Sequence, residues 1–191
     1  MKKKIILIFF LIFNLNFIHS FANDINEIEL DGMSLGDSLL NFYSKEEIKD
    51  NKINYFPDER QYFVIFYNKN LSRFDDMEIY LKTNDKNYTM RSINAGLYPK
   101  SLKECIEIKD KIKAEISSAL NLKFIDASYN HNYYTNSFIK GDVSYMDGGF
   151  ISLDCMFFDE KDKKKFPNLV DNLSVTLTLD EINKWIEKGY K

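Results

Sequence analysis

Apolar residues recur at Leu102, Cys105, Ile108, Ile112, Ile116, Ala119 and Leu120, in steps of three or four or their sums. At about 100° per residue they form one stripe, which predicts an amphipathic helix over Ser101–Leu122. Lys103, Glu107, Asp110, Lys111 and Lys113 fall mostly on its other side. Ser101 with Glu104 has the spacing of a capping box, and Pro99 lies upstream, outside the helix interior.

Strand patterns flank this helix. Gln61–Tyr67 is apolar on both faces, which suits an interior strand. Met77–Thr83 alternates, Asn84–Asn87 has turn chemistry, and Tyr88–Ile93 returns, so the stretch predicts a hairpin ended by Asn94-Ala95-Gly96. Beyond the helix, Lys123–Ala127 suits another strand. Phe138–Met146 and Gly149–Phe158 predict two long strands joined at Asp147-Gly148-Gly149. Leu173–Leu179 alternates most cleanly, with Leu173, Val175, Leu177 and Leu179 inward and Ser174, Thr176 and Thr178 outward.

Shorter signals complete the chain. Ser34 with Asp37 and Ser44 with Glu47 predict two short helices, the first covered by Leu35, Leu39, Leu40 and Phe42. Asn51–Arg60 is a polar connection. The charge run Asp159–Lys165 suits a solvated loop tip. Thr178 with Glu181 starts a terminal helix to Lys188, with Ile182, Trp185 and Ile186 buried and Gly189 near its end. Together these elements predict an α+β fold. A mostly antiparallel sheet carries the central amphipathic helix on one face, with short N-terminal helices and a C-terminal helix.

Residues 1–22 have the pattern of a signal peptide. Lys2, Lys3 and Lys4 precede the apolar run Ile5–Phe13, and Ser20 and Ala22 stand at −3 and −1 of a cut before Asn23. Asn14 and Asn16 interrupt the run, which is shorter than the roughly 20 residues a spanning helix needs. The expectation is a leader at 1–22, a single α+β domain at 23–191, and a periplasmic or secreted location without stable membrane insertion after cleavage. The formal charge of −3 becomes −6 once those three lysines are removed, which gives no basic footprint for nucleic acid.

Export makes the two cysteines informative. An even count in an oxidising compartment predicts a disulfide between Cys105 and Cys155. Cys105 lies on the helix stripe, and Cys155 shares a strand face with Ile151, Leu153 and Phe157. A bridge of this span stabilises by about 4 kcal/mol in the chain-entropy description.

The remaining chemistry is sparse. His131 is the one histidine beyond the leader, so a His-rich metal site is excluded and at most one imidazole base remains. It lies in a candidate ligand-contacting loop with Asn130, Asn132, Tyr133 and Tyr134, whose amides, phenols and rings suit hydrogen bonding and stacking. With both cysteines crosslinked, no Cys–His nucleophile follows, and there is no G-x-S-x-G elbow and no phosphate-cradling glycine motif. Adjacent acids such as Asp75/Asp76 and Glu46/Glu47 diverge on a strand or helix and suit surface charge. Asp142, Asp147 and Asp154 lie along one proposed hairpin but too sparsely for a calcium loop. No catalytic residue, metal site or cofactor is expected. Aromatic residues make up 15% of the chain; most of them suit the core and cross-strand pairs, with a concave binding surface as the alternative for the rest.

The opening resembles small exported bacterial proteins without an assigned activity. Gly32, Met33, Ser34 and Leu39 are also similar to the opening of outer-membrane assembly lipoproteins of the BamE type. That similarity covers roughly a tenth of the chain and lacks the lipid-bearing cysteine. It implies an envelope-assembly accessory with an exposed apolar patch near Met33–Tyr43. The residues themselves favour a non-enzymatic exported binding or interaction domain, its partner an unidentified protein or small molecule. The alternative is a small hydrolase or inhibitor-like protein using the His131 loop.

Overall fold

A computed structural model describes residues 24–53, 61–68, 71–130 and 137–188. The leader, the loop residues His131, Asn132, Tyr133 and Tyr134, and Gly189 lie outside the described residues. The chain forms strands β1 (Glu29–Leu30) and β2 (Met33–Ser34), helix α1 (Lys45–Asp50), and strands β3 (Lys52–Ile53), β4 (Tyr62–Tyr67), β5 (Asp76–Lys82) and β6 (Met90–Leu97). Helix α2 (Leu102–Leu120) follows, then β7 (Ile125–Asp126), β8 (Tyr129–Asn130), β9 (Phe138–Met146) and β10 (Gly149–Phe157). Helix α3 (Glu160–Lys165), β11 (Asn172–Leu179) and helix α4 (Asp180–Glu187) complete it.

The main sheet is antiparallel throughout, in the order β3-β4-β5-β6-β11-β10-β9-β7, with β8 also paired to β9. The fold is α+β, as the pattern predicts. Strand alternation assigns the faces. Ile65, Met77, Ile79, Ile93, Val175, Leu177, Ile151 and Leu153 point to one face and are almost fully buried there beneath the N-terminal segment and α2. Each such side chain contributes about 1.5–3 kcal/mol when taken out of water. On the other face α4 packs Ile182 and Trp185 against Tyr62 and Tyr80, with the Tyr62 and Trp185 rings 4.9 Å apart.

Cys105 and Cys155 form a disulfide with Cα atoms 6.0 Å apart, and both residues are fully buried. It ties the first turn of α2 to β10. One turn further on, Lys109 is buried on the same side, with its Nζ 2.5 Å from Asp142 Oδ2 and 3.3 Å from the Lys140 carbonyl. Lys113 Nζ lies 3.0 Å from Asp142 Oδ1. Burial pushes the Asp142 carboxyl up, but hydrogen bonds and charge from the two lysines outweigh it and hold it below the usual range. Beyond this clamp the apolar stripe of α2 is only half-covered, and Ala119 is exposed.

Several short-range expectations need correction. The first N-terminal helix does not form: Met33–Ser34 pairs with Glu29–Leu30 across an Asp31-Gly32 turn, and Gly36 adopts φ +86°, outside the helical region. A 3-10 turn at Leu39–Asn41 capped by Ser38 takes its place. The second start signal holds, with Ser44 and Glu47 exchanging both capping bonds. At α2 only half of the box forms: Ser101 accepts from the Glu104 N–H, while Glu104 accepts from the Lys100 N–H. The charge run is a helix rather than a loop tip, because Asp159 caps it and acids precede lysines along its dipole. Helix α4 has no side-chain cap, so the Thr178–Glu181 box is absent, and Ile186 is exposed.

Candidate functional site

A polar recess lies on the sheet face opposite α2. It has a volume of about 330 Å³. Its floor is built by alternation: Asp76 and Glu78 of β5, Asn94 and Gly96 of β6, and Ser174 of β11 all project to this face, across the registers Asp76↔Gly96↔Ser174 and Glu78↔Asn94. Phe66, Tyr98, Met156 and Phe158 supply apolar walls, and Leu169 and Val170 of the connection before β11 close one side.

The floor is wired. Asn94 Oδ1 accepts from the Ser174 hydroxyl and, at 3.1 Å, from the Thr176 hydroxyl. Its Nδ2 points toward Glu78 Oε2 at 3.5 Å. The Tyr98 hydroxyl donates to Asp76 Oδ2. Burial, then the hydrogen bond and charge of Asp76, raise the Tyr98 phenol well above its ordinary range, so it stays a protonated donor. Asp76 is only 8% exposed, a depth at which a carboxylate requires hydrogen-bond partners. Gly96 makes its position possible, because a Cβ at residue 96 would overlap the Asp76 carboxylate.

This arrangement overturns two sequence readings. Asp76 is not surface charge, and Asn94-Ala95-Gly96 does not end a strand but continues β6 to Leu97. The outward Ser174 and Thr178 are buried, because the second face is covered at both ends. The signal for the pocket was present in the alternation of β5 and β11, but not its cover. The possible cation set is dispersed. Asp142 faces α2, Asp154 lies on the opposite face, and Asp147 sits at the β9–β10 turn. No group of three or more candidate ligands that could hold a metal occurs among the described residues.

Of the candidate ligand-contacting loop, only Asn130 is described; it is exposed at the end of β8, paired with Phe138. The geometry around His131 is outside the described residues. Near Met33–Tyr43 the structure buries Met33, Leu35 and Leu39, leaving Phe42 exposed rather than a patch. Among the described residues no helix is long and apolar enough to cross a membrane. No protein-family model, curated protein or solved structure matches the chain, so the functional reading rests on the geometry of these residues.

Proposed function

We propose that the chain is an exported, non-enzymatic binding domain whose ligand seats in the polar recess over β5, β6 and β11. The single observation that carries the reading is the convergence of Asp76, Glu78, Asn94 and Tyr98 on one walled cavity of about 330 Å³. That size is within the range of small-molecule sites. Carboxylate acceptors dominate the floor, so the ligand class is a small molecule rich in donors, an amine or a polyol, with its apolar side against Phe66 and Phe158. The Ser174 and Thr176 hydroxyls donate to Asn94, an arrangement that supports positioning rather than a nucleophile held by a base. A buried disulfide and the leader pattern at 1–22 support export.

The test is expression with the native leader, N-terminal sequencing of the periplasmic fraction, and native mass spectrometry against an amine and sugar panel. The expected chain begins at Asn23 and retains a compound whose occupancy falls at least tenfold in Glu78→Gln/Asn94→Ala. A full-length cytoplasmic product would sink the export reading. Equal occupancy in the variant would remove the recess as the seat.

A further inference from the structure

A second cavity lies on the opposite sheet face and has the reverse chemistry. It is a slot of about 290 Å³ between the C-terminal half of α2 and the segment at 27–31. Ile112, Ile116 and Leu120 form one wall, Leu30 and Phe74 the other, and Val175 of β11 lies between them. The walls are held independently of any occupant. Asp31 accepts from the Ser72 backbone N–H at 2.9 Å and from its hydroxyl, locking the 71–74 connection to the β1–β2 hairpin. The disulfide and the Lys109–Asp142 pair fix α2 from its other end.

Volume selects the occupant. The slot equals roughly ten water volumes, enough for a single chain of about ten methylene-sized units. Charge selects the head group. The lining includes Glu27, Glu29, Asp31 and Glu115 against one cation, Arg73, which already lies 3.5 Å from Glu115. Helix α2 adds to this bias: it runs 19 residues and ends beside the slot at Leu120 with no basic residue in its last turn, so its negative dipole end is not offset there.

We propose that this slot binds a single-chain amphiphile with a cationic head. The alkyl chain lies between α2 and the β1–β2 segment over Val175, and the head sits among Glu27, Glu29 and Glu115. The site is separate from the polar recess and does not depend on it.

Titration of the full chain with decyltrimethylammonium and with decanoate, both below their micelle concentrations, tests this by calorimetry. The cation should bind one-to-one and at least tenfold tighter than decanoate, with the preference shrinking as salt rises. Ala119→Trp, at an exposed lining position, should fill the slot and abolish binding with the melting temperature unchanged. Glu27→Lys/Glu29→Lys, at two exposed rim positions, should invert the preference toward decanoate. Equal affinity for the two probes, no binding of either, or binding undisturbed by both variants would overturn the proposal.

Discussion

Lys109→Met tests what holds α2 to the sheet. The substitution keeps most of the side-chain volume and removes the ammonium 2.5 Å from Asp142 Oδ2. Lys109 and Asp142 side chains are only 8% and 11% exposed, so the carboxylate left behind cannot simply hydrate. Breaking such a buried pair costs about 3–5 kcal/mol. Lys113 remains on the other oxygen and is a third exposed, which places the expected loss near the lower end, about 3 kcal/mol. With a urea m-value of about 2 kcal/mol/M, the midpoint should fall by about 1.5 M. Trp185, the one tryptophan, is buried against Tyr62 on the far face and reports global unfolding rather than local change at the clamp. The isosteric removal of both charges, Lys109→Met/Asp142→Leu, should lie within about 1 kcal/mol of the wild type, since neither ion is then stranded. The pH dependence has a fixed sign. Asp142 is held below its unfolded value, so its contribution is present above about pH 4 and is lost as pH falls through the folded value. A shift under about 0.5 M in Lys109→Met, or a double variant as unstable as the single, would refute the view that the cost of the single substitution is a buried carboxylate left without its partner.

Two further outcomes follow from the same structure. Cys105→Ser/Cys155→Ser removes a crosslink of sequence separation 50 and should cost about 4 kcal/mol, read as a urea midpoint lower by about 2 M; a change below about 0.5 M would show that the bridge constrains little. Burial raises the Asp154 carboxyl above its ordinary range despite the hydrogen bond from Ser152 and the charge of Lys109. Its ionisation therefore opposes folding, with stability declining as pH rises from the unfolded value through the folded one. Asp154→Asn should melt higher than wild type at pH 7 and equal to it near pH 3.5 by calorimetry, and a lower melting temperature at pH 7 would reverse the assignment.

The long periodic elements were legible in the chain, and the short ones were not. Helix α2, strands β9, β10 and β11 and the cysteine pairing carry many coherent residues each, so a period of 3.6 or 2 decides them. Capping signals alone were weaker. Ser34 with Asp37 had the right spacing, but Gly36 at positive φ and the pairing of Met33 with Leu30 won. Lys109 shows a missed signal of a different kind. It stands four residues after Cys105, so it belongs to the core-facing stripe, and a lysine there demanded an acid on the facing strand.

The polar recess was hidden for a reason intrinsic to alternation. A period of 2 states which residues share a face, and an antiparallel sheet is free to turn its polar face to water. Ser174, Thr176 and Thr178 thus looked solvated. What changed their meaning was cover: α4 over Tyr62 and Tyr80, and the connection through Leu169 and Val170 beside Tyr98. The opposite face inverts this relation. There, sulfur and charge fasten α2 through Cys105 and Lys109, so its later turns need not bury their own stripe completely. Ile112, Ile116 and Leu120 are left half-covered, and the slot beneath them exists because the helix does not depend on closing it.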